Sequence, residues 1–261
     1  MRAAQIAATG MSAQELNFEV ISNNIANLNS TGYKRRVAEF QDLFYQSLNR
    51  DVGAQTNVAG NLPPVGNLVG LGVKTGGIFT NNSQGTLVQT GGDFDLAIQG
   101  KGLFKVTDAN GNIYYTRDGR FSPNENGDIV NAQGYVVEPT INIPENTVSV
   151  TINPEGQFVI TDENNDVTEL GPITLTNFLN QNGLKPVGNN LYTETEASGT
   201  AIDGTPANGG LGTIQSGFVE NSNVDAVYEI TSLITAQRAY ELNSRVIASA
   251  DEMLSAINNI R

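Results

Sequence analysis

Glycine and proline are nearly absent from both ends of this chain and crowded into its middle. Before Gly32 the only one is Gly10, after Gly217 there is neither, and nearly all of the 28 glycines and 9 prolines lie between. Glycine costs conformational entropy in a helix and proline removes a hydrogen bond. The two ends can therefore be long helices and the middle cannot.

The end sequences carry the matching periodicity. Ala4, Ala7, Met11, Gln14, Phe18, Ile21, Ile25 and Leu28 recur at alternating spacings of three and four, apolar except at Gln14. Leu233, Ala236, Tyr240, Asn243, Ile247, Ala250, Leu254 and Ile257 repeat the pattern with Asn243 as the polar position. Both read as coiled-coil seams. A continuous helix from Val224 to Ile260 would be about 55 Å long.

These features predict an α+β fold. Residues 1–50 with 218–261 form a helical coiled-coil domain, and residues 51–217 form a central β-rich domain. Leu16 and Val20 lie off the first seam, and Val227, Ile230 and Ile234 off the second. Each helix is thus apolar on more than one side. A two-helix stalk would leave that surface in water, so further copies of the chain are expected to cover it in a helical homopolymer.

Local signals place the ends of these elements. Ser222 or Asn223 is a candidate N-cap, with Asp225 in the first turn of the C-terminal helix. The first helix is expected to stop within Asn29-Ser30-Thr31-Gly32, where Gly32 can adopt the left-handed conformation. Phe40, Leu43, Phe44 and Leu48 have helical spacing and predict a short second helix before Gly53.

In the middle, Leu103–Thr107 and Ile113–Thr116 flank Asp108-Ala109-Asn110-Gly111-Asn112, a loop rich in residues that tolerate positive φ, which predicts a hairpin. Further strands are expected at Ile129-Val130, Tyr135–Val137, Val148–Ile152, Phe158–Ile160 and Ile173–Leu175. Asp51–Gly77, with Pro63-Pro64, and Ser198–Gly212 read as connecting arms.

Charge and missing residue types narrow the function. Lys and Arg number 14 against 27 Asp and Glu, a net charge of −13 that repels phosphate backbones and argues against a nucleic-acid partner. With no His and no Cys there is no Ser-His-Asp or Cys-His triad, disulfide or zinc-thiolate site to build. No apolar run is long enough to span a membrane, and Met1 to Leu16 is too polar for a secretory signal. Export, if it occurs, would use a route that reads no cleaved signal.

The remaining chemical candidates are weak. The 108–112 loop resembles part of a calcium loop, but its glycine is misplaced and no bidentate Glu follows. Asp162, Asp166 and Glu169 read as a solvated acidic loop. Gly100-Lys101-Gly102 lacks the frame of a phosphate loop. No carboxylate pair is singled out by its spacing for cell-wall hydrolysis. The expectation is a non-enzyme with no catalytic residue, metal or cofactor.

Ile21-Ser22-Asn23-Asn24-Ile25-Ala26-Asn27 followed by Ser30-Thr31-Gly32-Tyr33-Lys34 resembles the N-terminal signature of bacterial flagellar rod and hook proteins. Ser222-Asn223-Val224-Asp225, Gln237-Arg238-Ala239-Tyr240-Glu241-Leu242-Asn243 and Asp251-Glu252-Met253-Leu254 are similar to that family's other end. Asp95–Phe104 and Tyr115–Phe121 resemble its β core, where Leu103 stands in place of the usual Phe. Asn190–Thr195 and the length point to the distal rod branch, with the proximal rod as the alternative.

The resemblance implies an axial subunit exported through the flagellar export apparatus and polymerised across the periplasm. Its implied partners are itself, the proximal rod proteins, the hook protein and the P- and L-ring proteins. Asn23, Asn27, Gln237 and Asn243 are expected to fix packing register. A secreted β-rich binding module on a helical stalk is the reading outside the family.

Overall fold

The computed structural model describes residues 2–47, 68–164 and 166–259. The chain divides into two compact units. One comprises Met1–Ile25, Arg36–Phe79 and Ala226–Arg261, and the other Ala26–Arg35 and Thr80–Asp225. The expected division assigned 26–35 and 218–225 to the helices, whereas these segments cluster with the β unit.

The helical unit contains α1 (Arg2–Ala26) and α2 (Ala226–Asn259). The 34 residues of α2 correspond to about 51 Å of helix. Among the described residues no helix is long and apolar enough to cross a membrane. α1 ends at Ala26, a few residues before the expected stop, and turns carry the chain to Gly32, whose φ is +68°. α2 begins at Ala226, so Asp225 directly precedes the helix instead of lying in its first turn.

The short helix expected around Phe40 is corrected by the structure. Arg36–Asp42 is a strand paired with Val73–Thr80, and Tyr45–Ser47 pairs with Leu68–Gly70. The helical spacing of residues 40, 43 and 44 is overridden by partner strands that lie about thirty residues downstream. Leu48 and positions 51–67 of the expected arm lie outside the described residues, while 68–77 is largely strand.

In the β unit, the expected hairpin pairs Leu103–Thr107 with Ile113–Thr116, and Gly111 turns it at a φ of +82°. This hairpin sits within a nine-stranded sheet, beside a three-stranded sheet of Thr147–Ile152, Gln157–Asp162 and Val167–Pro172. Leu96–Gln99 pairs with Thr213–Ser216, and Leu87–Gln89 with Phe218–Glu220. The expected 198–212 arm contributes the strand Ile202–Gly204. Ile173 lies between strands and is fully buried.

Alternation along Leu103–Thr107 feeds two cores. Phe104 and Val106 join the main core with Phe121, Phe158, Ile129 and Ile214. Leu103 joins a smaller cluster with Tyr115, Phe178 and Leu184. Opposite faces of one strand thus each meet apolar cover, and Leu103 fills its place beside the Tyr115–Phe178 ring pair, whose centroids are 4.8 Å apart.

Candidate functional site

Inside the β unit, three ionisable side chains meet from distant parts of the chain. Glu220, at the end of its strand, accepts from Lys34 Nζ at 2.6 Å and from Arg117 Nε at 2.6 Å, and its side chain is almost wholly buried. The Gly85 N–H donates to the same carboxylate at 2.8 Å. Arg117 also donates to the carbonyls of Gly102, Ile98 and Gly100. Lys34 also donates to the Ser83 carbonyl at 2.9 Å.

Burial pushes the Glu220 carboxyl up, but Arg117 and Lys34 outweigh it and hold the group below the usual carboxylate range. Burial pulls Lys34 below the usual lysine range, Glu220 offsets part of this, and the Arg117 charge adds to the fall. The two cations account for the Glu220 direction, and burial, with Arg117 alongside, for that of Lys34.

The Thr31-Gly32-Tyr33-Lys34 segment docks beside this cluster. The Gly32 N–H donates to the Glu220 carbonyl at 2.8 Å. A Cβ on Gly32 would lie 2.7 Å from the Asp118 nitrogen and 2.8 Å from the Arg117 carbonyl carbon. Asn190 Nδ2 donates to the Thr31 carbonyl at 2.8 Å. Burial raises the Asp118 carboxyl, partly offset by bonds from the Thr31 hydroxyl and the Arg120 N–H. Gly32→Ala is therefore expected to destabilise the β unit by about 2–4 kcal/mol, from left-handed strain plus a backbone collision. Urea unfolding checks this, and a change below about 0.5 kcal/mol would refute the docking argument.

Asn223 is not the N-cap that its sequence position offered. Its Oδ1 accepts from the Arg35 N–H at 2.7 Å, and its Nδ2 donates to the carbonyls of Asn81 and Ser83, each at 2.9 Å. Residues near the places where the chain leaves and re-enters the β unit are thereby tied together within it. Ser222 Oγ accepts from the Val224 N–H at 3.3 Å.

In the helical unit, Asn24 acts as a substitute strand partner for Arg36. Its Oδ1 accepts from the Arg36 N–H at 2.9 Å, and its Nδ2 donates to the Arg36 carbonyl at 2.8 Å. The buried Glu229 of α2 accepts from the same Nδ2 at 3.3 Å. α1 and α2 approach closely at Gly10, where a Cβ would lie 2.9 Å from Asn243 Nδ2.

The shielded face of α2 runs through Glu229, Leu233, Ala236, Asn243, Ile247 and Ala250, close to the expected seam. The α1 seam is rotated from expectation. Ala7 and Ile21 are buried, but so are Ala13, Val20 and Asn24 from the neighbouring side, while Phe18 is 45% exposed. The cause is a second neighbour, because the 36–42 and 73–79 strands also pack in this unit and Thr9 Oγ1 accepts from the Val73 N–H at 3.3 Å. Between the helices, Gln14, Glu15 and Phe18 face Leu233, Ala236, Gln237 and Tyr240 across a groove of about 480 Å³.

The expected packing residues fall into two groups. Ile21, Asn24, Gly32, Tyr33 and Val224 are buried within one copy, with Met11, Ile25, Asn27, Leu28, Leu233, Asn243 and Ile247 half-buried. Asn23, Gln237, Arg238, Tyr240, Glu241, Met253 and Leu254 face solvent with Phe18. The Ile257 side chain lies outside the description. Val227 is 75% exposed, and Ile230 and Ile234 are exposed on the same side, turned away from Ala236 and Asn243 at 100° per residue.

Sequence reasoning missed Lys34, Arg117, Asp118, Asn190 and Glu220 as a cooperating set. Their only signal was that several fall in quoted signatures without an apolar role, and nothing along the chain pairs positions 34, 117 and 220.

Three family models match the chain in separate stretches. The one described as flagella basal body rod protein covers residues 5–34, the flagellar hook protein FlgE/F/G D1 domain covers 97–160, and the flagellar basal body rod FlgEFG protein C-terminal covers 215–260. A flagellar basal-body rod protein FlgG of Caulobacter vibrioides is 49% identical over 262 residues, covering 100% of both chains. The protein of that name from Agrobacterium fabrum is 48% identical, over 99% of this chain and 98% of the relative. That from Borreliella burgdorferi is 42% identical, over 100% of this chain and 99% of the relative.

Proposed function

Because the chain belongs to the flagellar basal-body rod family, of the FlgG type, we infer that it is a structural subunit of the distal rod, a self-assembling drive shaft that carries torque. The observation that carries this reading is the apolar face of α2 that one copy leaves in water. Val227, Ile230 and Ile234 lie opposite the shielded face, and a soluble monomer gains nothing from such a stripe. Heterologous contacts through that stripe and through the Phe18–Tyr240 groove would extend a helical assembly without closing it.

On this reading the terminal helices pair as a coiled coil and pack against those of neighbouring copies around an export channel. The subunit reaches the periplasm through the flagellar export apparatus without a cleaved signal. It stands on the proximal rod, bears the hook protein and turns within the P- and L-rings. No catalysis is assigned to it.

Full-length purified chain at rising concentration, followed by sedimentation velocity and electron microscopy, tests the inference. Open-ended rods that lengthen with concentration are expected. A closed dimer or trimer would overturn the rod in favour of a stalk-bearing binding module.

Register is a separate test. The Asn243 amide sits against Gly10, so Asn243→Leu exchanges a polar marker for a bulky apolar one at the closest helix approach. Expression should persist while the polymer loses a single alignment, and diffraction from ordered rods of native symmetry would count against Asn243 as the register residue.

A further inference from the structure

The β unit carries a second recessed surface that the core and the buried ion cluster do not use. A depression of about 490 Å³ is lined by Lys101, the carboxamides of Asn82, Asn180 and Gln181, and the aliphatic side chains of Leu179 and Ile202. Phe178 anchors this stretch in the small core, whereas the next residue, Leu179, is 92% exposed. Ile202 is 61% exposed on the strand Ile202–Gly204, which pairs with Leu175–Asn177 and among the described residues has no strand on its outer edge. Two bare aliphatic side chains beside an open strand edge are costly in water and suit protein contact.

Charge chooses the partner. In this unit Lys34, Lys105 and Arg117 are each matched to carboxylates. Among the described residues of this unit Lys101, Arg120 and Lys185 have no ion pair, and of these Lys101 lines the depression. With a net charge of −13, two copies repel each other over most of their surfaces. An unmatched lysine beside exposed leucine and isoleucine makes this depression a place where such a surface is attracted. The amide nitrogens of Asn82, Asn180 and Gln181 each donate once within the chain, to Asn182, the Ala197 carbonyl and Asn177, and the second N–H of each can meet the backbone of an extended segment.

We propose that this depression docks an acidic, partly apolar stretch of the β unit of a second copy of the chain, a lateral contact distinct from the helix stripe. The proposal rests on the self-assembly reading above and adds a second interface to it. Lys101 supplies attraction during encounter, and Leu179 and Ile202 supply the buried area that holds the contact.

The test uses full-length chain with Lys101→Glu, Lys101→Arg and Leu179→Asp, and Ile234→Asp as a helix-face control. Thermal melts establish that each variant folds, which exposed positions should permit. Assembly is then followed by light scattering. Lys101→Glu and Leu179→Asp should each slow assembly or raise its threshold concentration by about tenfold. Lys101→Arg should behave like the parent, and the gap between the parent and Lys101→Glu should narrow as salt is raised from about 0.05 to 0.5 M, because screening weakens the contribution of that one charge.

Parental rates for Lys101→Glu and Leu179→Asp, with assembly lost in Ile234→Asp, would overturn this contact and leave the rod reading standing. A parent chain that never assembles would overturn both. Lys101-dependent retention on cell-wall glycan with unchanged self-assembly would overturn the contact in favour of a saccharide site.

Discussion

Glu220→Gln is expected to cost the β unit about 3–5 kcal/mol, because it leaves Lys34 and Arg117 buried without their shared carboxylate. The same change at Glu138 should cost less, about 1 kcal/mol, since its side chain is 33% exposed and Lys105 keeps Asp203 as a second partner. Denaturant unfolding of the two variants side by side isolates burial as the cause. Equal, small losses would mean that the cluster is solvated and that the docked Thr31–Lys34 segment is held by something else.

The same residue sets an acid limb. Two cations hold the folded Glu220 carboxyl below its ordinary value near 4.5. Its stabilisation is therefore present above that ordinary value and is lost as pH falls through the lower, folded one. Asp118 works in the opposite sense, since burial raises its carboxyl and the associated stability is lost as pH rises through the raised value. Glu220→Gln should flatten the acid limb and leave the Asp118 contribution. An unchanged limb would count against Glu220 as its source.

Ile234→Asp is expected to leave the subunit as stable as the parent, within about 0.5 kcal/mol, because the side chain is exposed within one copy. It should nevertheless abolish rods. Within a polymer interface the carboxylate would be buried without a partner, a penalty of several kcal/mol repeated at every subunit. Sedimentation should then show monomer with a normal melt. Rods of ordinary length from this variant would remove the Val227–Ile234 stripe from the polymer contact.

The two helices were readable because glycine and proline are missing where the three-four spacing runs. The 103–116 hairpin was readable because its turn chemistry is local. Phe40, Leu43 and Phe44 misled because their spacing is helical, whereas the decision rested on pairing with Val73–Thr80 and Leu68–Gly70. The α1 seam was rotated for the same reason, as Thr9 and Asn24 answer to strands and not only to α2. Several signature residues expected to serve polymerisation or packing, among them Gly32 and Tyr33, are buried within one copy.

The sequence by itself determined what depends on near neighbours: which stretches can be helical, where turns must fall, the excess negative charge, and the lack of thiol and imidazole chemistry. Tertiary structure alone decided what depends on meeting across distance. Lys34, Arg117 and Glu220 are ordinary charged residues along the chain, and they become a costly buried cluster only when strand pairing brings their elements together and excludes water. Desolvation is a property of the assembled surroundings, and no spacing along the chain encodes it.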